Sequence, residues 1–195
     1  MSNKKSEKEE HYLKRVQEFY SSKDGLLSKL SQQKRNELVG EITFILMASE
    51  FHRRYLINDI AKCFMPALHL NQFKIYKNKD GNPVALVTWA YLSEEIEKKH
   101  MSGKYSLEIN DWKSGDRLWG IDFMAPFGHM KMIKKDLEQG FFGKAHGRSL
   151  RMDIDGKIKG IYDWYGKEYR EARKEKAAKN KTSAKKKPIN NRKKK

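Results

Sequence analysis

Apolar residues recur at helical spacing in three places along the first third of the chain. Tyr12, Val16, Phe19 and Tyr20 do so on a charged background, which predicts a helix over roughly 6–20. "SSKDG" stops it, with Gly25 as the breaker. Leu38, Ile42, Ile45 and Leu46 form the stripe of a second helix, about 33–48. A third follows His52, with Leu56, Ile60 and Phe64 four apart, and ends near Pro66. The period then shortens. "QFKIYK" alternates Phe73 and Ile75 with polar positions, "NKDGNP" is a turn, and "VALVTWAYL" is an apolar run long enough for a buried strand. "RLWGIDFMAPFG" places Trp119, Ile121 and Phe123 on one face of a further strand, and a short helix follows over about 129–139. "RSLRMDIDGKIKGIYDWY" reads as a hairpin closed by a tight I′ turn at Asp155-Gly156. Helices packed on a mostly antiparallel sheet of four or five strands give an α+β layered domain.

Composition divides the chain. The formal net charge is +17 in 195 residues, with 38% hydrophobic residues and four tryptophans, so a folded body exists. From Gly166 to Lys195 the charge is +11, leaving +6 before it. This predicts an N-terminal helical extension over 1–32, a domain over 33–166 and a lysine-rich disordered tail over 167–195. The tail could meet nucleic acid, an anionic membrane surface or an acidic protein; the lack of interleaved aromatics beyond Lys174 argues against nucleic acid. The Tyr12/Val16/Phe19 stripe needs cover, from the core or from a second protomer as a homodimer.

Cys63 is the one cysteine, so neither an internal disulfide nor a cysteine-based zinc site can form, and no histidine pair has metal-ligand spacing. "MSNKKSEKEEHYLKR" lacks the apolar core of a secretory signal, and no run of about 18 apolar residues occurs. The expectation is a soluble, cytoplasmic protein without a bound metal.

Two positions carry candidate chemistry. Asp122 sits among Trp119, Ile121, Phe123 and Met124, where an ionised carboxylate needs a partner. That partner is either an arginine such as Arg117 or a histidine that the carboxylate orients and charges. His52 lies in "MASEFHRRY", in the break between two amphipathic segments, with Ser49 before it and Arg53 and Arg54 after it. The chain has neither a Walker loop nor a glycine-rich loop for the pyrophosphate of acetyl-CoA.

"ASEFHR" and "DWKSGDRLWGIDFMAPFG", joined by "MPALHLNQFKIY" and "GNPVALVTWAYLS", together resemble the RTX toxin-activating lysine acyltransferases, the hemolysin-activating proteins. The likeness is strongest over 38–128 and fades toward Gly166. It implies a GCN5-related N-acetyltransferase-like fold and transfer of a fatty acyl group to internal lysine ε-amines of an RTX protoxin. The donor it implies is acyl carrier protein with a phosphopantetheine thioester, which accounts for the missing CoA loop. The family's motif histidine falls on His52, its aspartate on Asp122 and the preceding serine on Ser49. His52 then acts as general base or is itself acylated. Arg53 and Arg54 are candidate contacts to the acidic carrier, and Ser49, Arg53, Arg54 and Arg117 are candidate supporting or substrate-binding residues. The alternative is a basic nucleic-acid-binding module on an inactive core of the same fold.

Overall fold

The computed structural model describes residues 10, 14 and 25–185. The helix expected over 6–20 therefore lies outside the described residues, apart from helical backbone at Glu10 and Lys14. A short helix α1 (Leu26–Lys29) leads into α2 (Gln32–Ala48), which Ser31 caps by accepting the Lys34 N–H at 3.2 Å. A 3-10 turn (His52–Arg54), α3 (Ile57–Cys63) and α4 (Met65–His69) complete the first layer, with Pro66 in the opening turn of α4. The third helix expected from sequence is thus broken into pieces. Phe64 is fully buried as its spacing demands, whereas Leu56 is 72% exposed and Ile57 88%.

Five strands form one sheet in chain order: β1 (Phe73–Lys77), β2 (Pro83–Leu92), β3 (Arg117–Met124), β4 (His146–Met152) and β5 (Ile158–Tyr165). All neighbours are antiparallel except β3 and β4, which are parallel. Helix α5 (Glu94–Met101) follows β2. It is capped by Ser93, with acids in its first turn and bases in its last, as the helix dipole favours. Helix α6 (Met130–Asp136) continues into a π turn (Leu137–Phe141) and crosses from β3 to β4. This is the mostly antiparallel α+β sheet covered by helices that the pattern predicts.

The two faces of the sheet bury different cores. Leu86 and Met124 pack on Ile42, Ile45, Phe64 and Leu68 of the first helical layer, and farther along the same face Ala90 and Trp119 pack on Ala67 and Trp112. On the other face, Val87, Trp89, Leu118 and Trp164 meet Ile133, Leu137 and Phe142.

Three expectations need correction. Trp119 and Ile121 do share a face, but Phe123 joins the opposite core. The pairing passes from Trp89–Gly120 to Thr88–Asp122, so Ile121 is an extra residue in β3, and this β-bulge reverses the alternation after it. The β4–β5 turn is longer than a two-residue I′ turn. Asp153 to Gly156 forms a four-residue turn (Gly156 N–H to Asp153 O, 3.0 Å) with Gly156 at φ +77, and the Asp153 carboxylate accepts the Asp155 and Lys157 amides. Of the tail expected to be disordered over 167–195, the part up to Lys185 is a helix, α7 (Lys167–Lys185), and 186–195 lie outside the described residues. Its first turn is docked: Gly166 N–H reaches Ala145 O at 2.8 Å, Tyr169 stacks on Tyr165, and Arg170 pairs with Glu138. That anchored turn supplies the helix nucleus, and the Ala, Lys, Arg and Glu that follow propagate it.

Candidate active site

Helix α2 ends at Ala48, and Ser49 takes an extended conformation that breaks the spiral. Its hydroxyl oxygen accepts the His52 N–H at 3.4 Å and its carbonyl accepts the Arg53 N–H at 2.9 Å, which winds the 3-10 turn carrying His52. The His52 ring then lies among Phe51, Tyr55 and Phe64, with centroids 5.0, 5.2 and 6.4 Å away. Phe51 is in turn covered by the β4–β5 turn, since a Cβ at Gly156 would sit 3.4 Å from the Phe51 ring.

Both ring nitrogens are engaged. Nε2 is 3.2 Å from Asp122 Oδ1, a contact that spans 70 residues of sequence, and Nδ1 is 2.7 Å from Ser49 Oγ. An ionised carboxylate can only accept, so Nε2 carries the hydrogen and Nδ1 turns its lone pair toward the Ser49 hydroxyl. Ser49, His52 and Asp122 thus form one continuous hydrogen-bonded line. The histidine and aspartate side chains are only 10% and 11% exposed, which strengthens the interaction relative to water.

The bulge at Ile121 is what turns Asp122 toward His52. Without the extra residue, strict alternation would leave Asp122 on the face of Gly120 and Leu118. Thr88, directly opposite on β2, holds it there. The Thr88 hydroxyl accepts the Asp122 N–H at 3.2 Å and donates to Oδ2 at 3.5 Å. Thr88 was legible only as the single polar side chain in the run "VALVTWAYL".

The groups around the pair are partly withdrawn from solvent. Burial first, and the Asp122 charge second, raise the Tyr55 phenol and push the Cys63 thiol up to about 12. Both groups therefore stay neutral beside the pair. Among the described residues, no group of three or more His, Cys, Asp or Glu is placed to hold a metal ion.

The remaining candidates separate. Arg53 and Arg54 are exposed on the 3-10 turn, next to the bare side chains of Leu56 and Ile57. Arg117 lies at the far end of β3 and is not the partner of Asp122. It pairs with Glu94 at 3.1 Å and Glu97 at 3.3 Å. Glu97 also accepts from Trp119 Nε1 and Arg148, so Arg117 belongs to a network fastening α5 to the sheet. Among the described residues no helix is long and apolar enough to cross a membrane.

The model of the RTX toxin acyltransferase family matches residues 31–165, which contain Ser49, His52, Thr88 and Asp122. The RTX-I toxin-activating lysine-acyltransferase of Actinobacillus pleuropneumoniae is 35% identical over 130 residues, covering 67% of this chain and 74% of that protein. A protein-lysine myristoyltransferase of Escherichia coli is 32% identical over 130 residues, with 67% and 75% covered. An uncharacterized protein of Synechocystis is 34% identical over 122 residues, with 62% and 83% covered.

Proposed function

The chain belongs to the RTX toxin acyltransferase family, and from that premise we propose that it moves a fatty acyl group from acyl carrier protein to lysine ε-amines of an RTX protoxin. The observation that carries the assignment of chemistry to residues is the line from Ser49 through His52 to Asp122.

A lysine ammonium has no lone pair, so the acceptor reacts as the neutral amine. As its nitrogen attacks the thioester carbonyl carbon, the C–N bond forms and one N–H proton must leave. His52 Nδ1 takes that proton, with the Ser49 hydroxyl as its relay, and Asp122 offsets the charge that develops on the imidazole. When the tetrahedral intermediate collapses, the C–S bond breaks and the imidazolium returns the proton to the pantetheine sulfur. The products are an amide on lysine and a free carrier thiol. A base placed in this way contributes about 10²–10⁴-fold. The 2.7 Å contact to Ser49 occupies the nitrogen that direct acylation of His52 would need, which favours the general-base route.

Donor binding is assigned to the surface around the same turn. Acyl carrier proteins are acidic, and exposed Arg53 and Arg54 beside Leu56 and Ile57 offer charge with an apolar centre. Incubation with long-chain acyl carrier protein and the cognate protoxin is expected to add fatty acyl mass to protoxin lysines. His52→Ala is expected to lower the rate by at least about 10²-fold. Undiminished transfer by that variant would remove His52 from the mechanism.

A further inference from the structure

Phe44 and Met47 lie on the outer side of α2, 46% and 63% exposed, while Ile42, Ile45 and Leu46 fill the core beneath them. Phe127, 48% exposed, stacks on Phe44 with ring centroids 6.3 Å apart. Phe44 and Met47 are neighbours on the helix surface, so the three side chains make one open apolar patch. The patch is built by the two segments that carry the hydrogen-bonded line. Helix α2 runs from Phe44 to its C-cap Ser49, about 7.5 Å along the axis, and β3 delivers Asp122 five residues before Phe127.

Charge is divided at the same place. The last turn of α2 has no basic residue, so nothing in it offsets the negative end of the helix dipole. Glu50 follows, exposed on the turn and without a hydrogen bond or ion pair to another described residue. Arg53 and Arg54, to which the donor is assigned above, come after His52. The turn is therefore acidic before the histidine and basic after it. An unpaired carboxylate on a chain of net charge +17 favours a cationic partner.

We propose that the acceptor segment of the protoxin docks here. An extended stretch lays apolar side chains on Phe44, Met47 and Phe127 and sets a second, non-reacting cation against Glu50. This rests on the acyl-transfer reading above. The reacting lysine itself is a poor partner for Glu50, since a carboxylate beside the ammonium holds the proton that must leave. An extended chain advances about 3.3 Å per residue, so an apolar residue two or three positions from the lysine reaches Phe44 while the amine stands at the Ser49–His52 contact. Acceptor and donor then meet the turn at its acidic and basic ends. Lysines with basic and apolar neighbours are selected over isolated ones.

The test uses the full chain, long-chain acyl carrier protein and two synthetic peptides. Each peptide has one lysine with phenylalanine three residues to either side; its immediate neighbours are arginines in one peptide and glutamates in the other. The wild type is expected to favour the arginine peptide about threefold in kcat/KM at low salt, the effect of one exposed ion pair, and Glu50→Lys to invert that preference. Phe44→Ser and Phe127→Ser, both at exposed positions, should raise KM for the arginine peptide at least fivefold and leave KM for the carrier within twofold. An unchanged preference in Glu50→Lys would overturn the proposal. So would a raised carrier KM with the peptide KM unmoved, which would give the patch to the donor. Fluorescence anisotropy of the labelled arginine peptide, with no donor present, reads docking apart from transfer. Binding that Phe44→Ser abolishes supports the docking surface even if the wild type transfers nothing, a result that counts against the acyl-transfer reading alone. No binding by the wild type up to millimolar peptide overturns the docking surface and leaves that reading standing.

Discussion

Asp122→Asn keeps the shape of the central contact and removes its charge. The amide can still accept from His52 Nε2–H, but it no longer offsets an imidazolium, and after a flip it donates and fixes the wrong tautomer. Turnover is expected to fall by about 10²-fold or more with little change in KM, measured by steady-state acyl transfer. Thermal stability should hold or rise, because a nearly buried ionised carboxylate has been withdrawn; a collapse of the fold would make Asp122 a structural residue instead. His100 supports a second test. It is buried edge-on against Trp119 with centroids 4.9 Å apart, its Nδ1 has no hydrogen-bond partner, and burial lowers its pKa against the opposing pull of Asp122. The folded state holds this ring neutral while the unfolded chain protonates near pH 6.5. Stability should thus fall as pH drops from about 6.5 through the folded pKa, and His69, also lowered by burial, adds in the same direction. Urea unfolding at pH 7.5 and 5.5 should show the loss, and His100→Phe should shrink it.

Elements whose spacing matches one buried face were legible from the sequence; the features that assemble the site were not. The stripe of Ile42, Ile45 and Leu46 predicts α2 because a helix can hide those side chains in only one way. The same logic misplaces Phe123, since a single extra residue at Ile121 reverses the alternation and nothing in the local composition marks it. That bulge is what brings Asp122 to His52, so residue types and resemblance pointed to the pair while its geometry depends on register. Thr88 is the intermediate case, a polar residue in an apolar run whose partner lies 34 residues away. The tail misled in the other direction. Its composition reads as disorder, but Gly166 and Tyr169 tie its first turn to the loop before β4. Gly166→Ala tests that tie. A Cβ there would lie 2.1 Å from Gly143 O and 2.2 Å from Phe142 O, backbone atoms that cannot swing aside. The variant is expected to lose about 1–3 kcal/mol and to expose α7 to protease before the rest of the domain unfolds. Unchanged melting and digestion would mean that α7 is held by something other than this close approach.

At the scale of the whole molecule, charge and chemistry are separable. Residues 176–195 carry ten basic side chains and no acidic ones, so their removal lowers the net charge from +17 to about +7. The cut falls beyond Glu168, Tyr169, Arg170 and Arg173, which touch the body through Lys144, Gly143, Glu138 and Tyr165. It also falls beyond residues 31–165, the part shared with the acyltransferase family. Removing it should leave the His52–Asp122 line intact and weaken only the long-range field that would draw in the proposed acidic carrier. Such a field acts on encounter and is screened over about 10 Å at 0.1 M salt. The truncated protein is therefore expected to show a raised KM for acyl carrier protein at low salt and an unchanged turnover at saturating donor. Its KM should also depend less steeply on ionic strength, so that the two proteins converge near 0.5 M salt. A large fall in saturated turnover would place part of the tail in the reacting complex. Equal salt dependence in both proteins would shift the steering to Arg53, Arg54 and the rest of the folded surface, whose own charge is the +6 that remains before Gly166.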